Sequence, residues 1–122
     1  MKIVDLLMVA GGGAVGALAR WGLSSAMKNG IKASIGPYPL SILLVNAIGC
    51  YFASKWTQKG ILASDNMSLA LGVGFLGAFT TLSALNLEVA EFIRSGHTGL
   101  AISYLFIHLG VCALFSALAF AF

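Results

Sequence analysis

Few side chains in this 122-residue chain could do chemistry, because only 9% of them are charged. Arg20 closes a glycine-rich run, and Asn46 is the lone carboxamide of a long apolar stretch. Thr80, Thr81 and Ser83 crowd the segment GFLGAFTTLSALNLE from Gly74 to Glu88, and Tyr104, His108 and Cys112 recur every four residues. A spacing of four sets the last three on one helix face. An arginine at membrane depth is expensive. It can line a wide aqueous vestibule and attract anions, or snorkel to the interface with Trp21 as an aromatic anchor. Asn46 can glue helices together or offer two N–H donors to an anion. The Tyr–His–Cys column is either a packing face or a polar track beside a pore. Two ligands four residues apart, with no carboxylate near, make a poor metal site. Cys50 and Cys112 read as small buried hydrophobes in preference to a disulfide or a metal pair. No nucleophile, base and acid stand together, so no enzyme is expected.

The elements that must position these groups follow from composition. Hydrophobic residues make up 59% of the chain, and 9% charged falls far below the roughly 25% of soluble domains. That places the chain among membrane proteins. The formal charge of +3 is scattered without a basic run, so nucleic acid is not an expected partner. Lys2 and Asp5 near the start, with no small-residue cleavage site, do not read as a removable signal. Crossing the hydrocarbon takes about 20 apolar residues, and four stretches offer themselves: 3–26, 39–54, 67–87 and 98–122. Lipid tolerates no open sheet edge, so an all-α membrane protein is expected, one four-helix transmembrane domain over residues 1–122. Turn and charge signals fill the connections: Lys28, Asn29, Gly30, Lys32, Gly36 and Pro37, then Lys59, Gly60, Asp65 and Asn66, then Ser95 and Gly96.

Two further features shape the architecture. Gly12 with Gly16, and Gly13 with Ala17, are small-xxx-small pairs that let one face of the first helix pack closely on a partner. In the third span Gly72, Gly74 and Gly77 weaken the helix, while Thr80, Thr81 and Ser83 compete for its backbone hydrogen bonds. The expectation is a third helix broken at its middle, where freed carbonyls and N–H groups line a cavity and can hold an ion. Charge supplies the last expectation. Lys2, Lys55 and Lys59 fall on one side of a four-span chain, and Lys28, Lys32 and Arg94 on the other. Orientation follows the Lys/Arg bias, and here there is almost none. Insertion both ways, with pairing into an antiparallel dual-topology dimer, is therefore expected.

At these residues the chain resembles the Fluc (CrcB-type) family of fluoride channels, over almost its whole length. The likeness lies in Gly12 to Trp21, a glycine-rich run ending in arginine, in Pro39 to Asn46, and above all in Gly74-Phe75-Leu76-Gly77-Ala78-Phe79-Thr80-Thr81-Leu82-Ser83 with Glu88 beyond. The resemblance implies a passive fluoride exporter of the inner (plasma) membrane that lowers fluoride toxicity, with two pores at the interface of an antiparallel homodimer in the lipid bilayer. It implies a structural Na+ at the dimer centre, held by carbonyls that fall by position on Gly77 and Thr80. Asn46 would donate to fluoride, Arg20 would line the vestibule, and Thr81, Leu82, Ser83, Leu85, Tyr104, His108 and Cys112 would border the pore. The chain departs from the family at one place. Where the family usually has Thr-Thr-Phe-Ser-Thr-Phe, it reads Thr80-Thr81-Leu82-Ser83-Ala84-Leu85. Phenylalanine turns an electropositive ring edge to an anion; leucine has no quadrupole. Slower conduction, a non-conducting role beside an aromatic-containing homologue in a hetero-dimer, and leucines introduced by design are the readings left open. A small multidrug transporter is a weaker alternative, since that class needs a membrane-embedded carboxylate.

Overall fold

The computed structural model describes residues 1–28 and 34–122, without the side chains of Ser34 and Ile35. Asn29, Gly30 and Lys32, named above as connection residues, lie outside the described residues. The chain begins with helix α1 (Ile3–Ala26) and then makes a short antiparallel ribbon, β1 (Ser34–Ile35) with β2 (Tyr38–Pro39). Helix α2 (Ser41–Gln58) follows, then a 3-10 turn (Ile61–Ala63). The third long segment comprises α3 (Asp65–Met67), a wide π-helical stretch (Ser68–Leu76), α4 (Gly77–Phe79) and α5 (Leu82–Arg94); α6 (Thr98–Ala121) ends the chain. The ribbon was not expected from the sequence. It forms because Gly36, at φ 57°, and Pro37 reverse the chain outside the apolar segments.

Among the described residues, three segments are long and apolar enough to cross a bilayer: Ile3–Ala26, Asp65–Arg94 and Thr98–Ala121. Only 6% of the most apolar α1 window is buried within the chain. Leu7, Val15, Leu18, Phe106 and Leu109 are all exposed. So much outward apolar surface marks a membrane protein with several crossings. Helix α2 is the exception in both respects. It holds Ser41, Ile42, Leu43, Val45, Asn46, Ala47 and Gly49 buried, and its last turns carry Lys55, Thr57 and Gln58. It continues past Lys55, where a span end was expected, because Lys55 Nζ donates to the Ala119 carbonyl at 2.8 Å. Gln58 Nε2 donates to the Phe120 carbonyl at 3.3 Å. A cation on the last carbonyls of α6 also opposes the negative end of that helix dipole.

The small residues do what their spacing suggests. Gly12 and Gly16 face the π-helical stretch so closely that an added Cβ would collide with the backbone of Ala70 and of Phe75. From the other side, a Cβ on Gly74 would meet the Val9 oxygen at 2.8 Å and the Gly13 nitrogen at 3.0 Å. Backbone touches backbone, which only glycine permits. An aromatic train, Tyr51–Phe52–Trp56–Phe75–Phe79, joins α2 to the third segment, with Phe75 and Phe79 stacked at 5.5 Å. The core cluster is Ile42, Leu85 and Tyr104, with Tyr38, Val89 and Phe92 packed on it.

Gly16→Leu is expected to prevent α1 from docking, costing about 3 kcal/mol or more by overpacking. Gly11→Ala, where an added Cβ meets nothing within 4 Å, serves as the neutral comparison. Thermal unfolding of both variants in detergent checks this, and equal melting temperatures would refute the contact.

Candidate functional site

Helical backbone stops at Thr80 and Thr81, whose φ/ψ of −81°/151° and −150°/120° are extended. Each polar group released there has to find a partner, since hydrocarbon supplies none. Asn46 takes both groups of Thr81. Its Oδ1 accepts the Thr81 N–H at 2.8 Å, and its Nδ2 donates to the Thr81 carbonyl at 3.0 Å. The Thr81 hydroxyl accepts the Ala84 N–H at 3.2 Å and so caps α5. It also lies 3.2 Å from Ser83 Oγ. Arg20 Nε donates to the Ala78 carbonyl at 3.1 Å. The break leaves the carbonyls of Gly77, Ala78, Phe79 and Thr80 without helical donors, and Arg20 supplies one only to Ala78. In an unbroken helix Gly77 C=O would receive the Thr81 N–H and Thr80 C=O the Ala84 N–H. Both N–H groups are turned elsewhere.

Asn46 has a third partner, His108 Nε2, at 2.9 Å. Because the Thr81 N–H points at Oδ1, the amide orientation is fixed, and Nδ2 must be the donor to His108. Neutral His108 therefore carries its proton on Nδ1. That nitrogen is buried and has no hydrogen-bond partner among the described residues. The side chain is 3% exposed, so an unpartnered donor is held away from water at the centre of the fold.

Asn46, Thr80, Thr81, Leu82, Leu85, Gly77, His108 and Cys112 border one cleft of about 540 Å³. Arg20, Ser83 and Tyr104 do not line it. Arg20 reaches the same region through Ala78, while Ser83 stays on the exposed side of α5. Tyr104 is fully buried, stacked on Tyr38 at 6.0 Å, with its hydroxyl donated to Glu88. The two leucines differ. Leu82 is 70% exposed, whereas Leu85 is 4% exposed and belongs to the core cluster. Glu88 and Cys50 were not among the candidate residues. Glu88 is the acceptor of the Tyr104 hydroxyl, and Cys50 lines the cleft beside Cys112. The turn from Leu85 to Glu88 and the column at 104, 108 and 112 could have suggested the first pairing; nothing local points to the second.

The family described as "CrcB-like protein, Camphor Resistance (CrcB)" matches residues 7–120. This chain belongs to the CrcB-like family. Among its relatives, the fluoride-specific ion channel FluC of Caulobacter vibrioides is 37% identical over 120 residues, covering 93% of this chain and 91% of the relative. The protein of the same name from Thermus thermophilus is 36% identical over 109 residues, covering 87% and 83%. That from Saccharophagus degradans is 38% identical over 108 residues, covering 84% and 77%. As a CrcB-like protein with several membrane-capable helices, the chain is a multi-pass membrane protein.

Asn46→Ala would strand the Thr81 N–H, the Thr81 carbonyl and His108 Nε2, at about 1–3 kcal/mol for each buried group left unpaired. A loss of roughly 3 kcal/mol or more is expected in thermal or denaturant unfolding, against less than about 0.5 kcal/mol for Leu87→Ala at its exposed site. Similar losses for the two would mean that Asn46 does not hold the interrupted segment.

Proposed function

We propose that the chain is a fluoride-selective channel subunit that lets cytoplasmic fluoride leave passively through the inner (plasma) membrane and so lowers its toxicity. The observation that carries this reading is the buried His108 Nδ1–H without a partner, in a side chain that borders the cleft. Fluoride is small and strongly hydrated, so stripping its water is tolerable only where fixed donors replace it. A desolvated N–H is such a donor, and Thr81, on the third segment, lines the same cleft as His108. Asn46 donates to Thr81 and His108 in this structure, so a direct bond from Asn46 to fluoride requires release of one of them. Without that release, Asn46 serves the path by positioning its neighbours. Arg20 would draw anions toward the mouth. The names of the relatives agree with the reading.

In the same reading α2 crosses the membrane as a fourth span, enclosed by its neighbours. The interruption at Thr80–Thr81 is the functional break of the third helix. Two copies pair antiparallel in the bilayer, in keeping with the balanced lysines and arginines, and the pores lie at their interface. The outward Leu82 and the open cleft suit such a partner. The donor set also fits a central Na+. Gly77 and Thr80 offer carbonyl oxygens that have lost their helical N–H partners, which is what a hard cation requires. When bound, the ion would supply positive charge at the dimer centre and hold the two interruptions together. A second reading, a non-conducting partner in a hetero-dimer, is favoured by Leu82 and Leu85, which offer an anion only an apolar wall.

Proteoliposomes containing this chain alone, loaded with fluoride or chloride, test the proposal. Fluoride efflux with chloride retained is the expected result. Well-folded protein that passes no fluoride alone, but does so with an aromatic-containing homologue, would replace the homodimeric channel by the hetero-dimeric reading. Crosslinking that yields only parallel dimers would remove the dual topology.

A further inference from the structure

Helices α2 and α6 run side by side in the same direction, and their contacts climb in register. Tyr104 OH lies 3.4 Å from the Pro39 carbonyl, Asn46 bonds His108 at 2.9 Å, and Lys55 reaches Ala119 at 2.8 Å. One turn beyond the Asn46–His108 bond stand Cys50 and Cys112. The offset of 62 residues that pairs Asn46 with His108 sets Cys50 opposite Cys112. Both are free and half-buried, and both line the cleft. A small ion entering the cleft therefore meets two thiols at once, from two helices fixed against each other above and below by the Asn46 and Lys55 bonds.

We propose that Cys50 and Cys112 form a two-sulfur binding site for a soft metal cation of the kind that accepts linear coordination: silver(I), copper(I) or mercury(II). The chemistry follows from what surrounds the pair. Among the described residues no group of three or more His, Cys, Asp or Glu side chains could hold a metal. A tetrahedral zinc site needs three or four such ligands and is not met here. Soft thiolates select soft d10 ions, and a linear ion is satisfied by two of them. Binding is not a redox step. Two S–H bonds break, two S–metal bonds form, and the two protons leave to water, so for mercury(II) the product is the neutral dithiolate. The bound ion would sit in the cleft one turn from Asn46 and His108. Obstruction of anion flow there rests on the reading of the cleft as the fluoride path; the binding does not.

The test uses the full chain in lipid, with mercury(II) chloride and silver nitrate as probes and excess glutathione as competitor. Retained metal and remaining titratable thiols are counted for the unmodified chain, Cys50→Ser, Cys112→Ser and the double variant, with Cys→Ala versions for any serine variant that misfolds. One metal per chain, with both thiols protected, is expected. Loss of either cysteine should weaken retention about 100-fold, as two tethered ligands become one. Equal retention by a single variant, or two metals on one unmodified chain, would overturn the site. Fluoride efflux is followed in parallel, each variant normalised to its own metal-free rate. Arrest by one equivalent of metal, reversed by dithiothreitol and absent from Cys50→Ser, supports the site. One metal bound per chain with undiminished efflux also supports the site, and instead removes the cleft from the fluoride path.

Discussion

The carboxamide of Asn46 on the backbone of Thr81 is the interaction on which the middle of this protein depends. A helix interrupted in hydrocarbon exposes peptide groups that no solvent can satisfy, each at a cost of several kcal/mol. A carboxamide answers both faults of a single residue, because it carries an acceptor and a donor at the spacing of a peptide unit. Asn46 uses Oδ1 for the Thr81 N–H and Nδ2 for the Thr81 carbonyl. Other groups satisfy two more: the Thr81 hydroxyl caps Ala84, and Arg20 takes the Ala78 carbonyl. The price of this repair is positional. Asn46 has to sit on a helix that cannot shift, and α2 is pinned to α6 through His108 and Lys55.

Such pinning explains why α2, less apolar than α1 and α6, has the most buried residues. Helices do not associate in lipid by hydrophobic burial, because the tails are as apolar as leucine. They associate through close packing and hydrogen bonds. Helix α1 uses the first route, laying Gly12 and Gly16 against the backbone of the third segment. Helix α2 uses the second, so its polar residues are what hold it, and its neighbours carry the apolar surface outward. Arg20 belongs to both schemes: it leaves the glycine face of α1 and ends on the carbonyl of Ala78. The sequence allowed it to line a vestibule or snorkel beside Trp21. Its bond to a backbone carbonyl is a third use of the charge.

Much of this was legible in the chain, and the illegible parts share a cause. The bounds of α1 and the start of α6 follow from polar residues flanking apolar runs, and the glycine face follows from a spacing of four. The crowd of glycines and hydroxyls between Gly72 and Ser83 marked where helical hydrogen bonding would weaken. Partner choice was hidden, because Asn46 meets Thr81 across 35 residues and Arg20 meets Ala78 across 58. No local pattern encodes such pairings. Lys55 read as the end of a span because a lysine in lipid is costly; the Ala119 carbonyl removes that cost and the helix runs on. Tyr104, His108 and Cys112 do share one face, yet only the last two reach the cleft, because Tyr38 and Glu88 hold Tyr104 in the core.

The two leucines on α5 bear most on the proposed conduction, and the helix separates their roles. Leu85 sits against Ile42 and Tyr104, so its side chain is committed to the core whatever passes through the cleft. Leu82, three residues earlier, points outward at 70% exposure. Neither can replace lost hydration. In the proposed reading the stabilisation of a dehydrated fluoride therefore falls to N–H and O–H donors, of which His108 Nδ1–H is unpartnered among the described residues and Thr81 lines the same cleft. The burden shifts from a polarised ring edge to hydrogen-bond donors. A leucine-lined path, if it conducts, would depend on the tautomer that Asn46 imposes on His108, since a histidine turned to the other tautomer would present a lone pair to the ion.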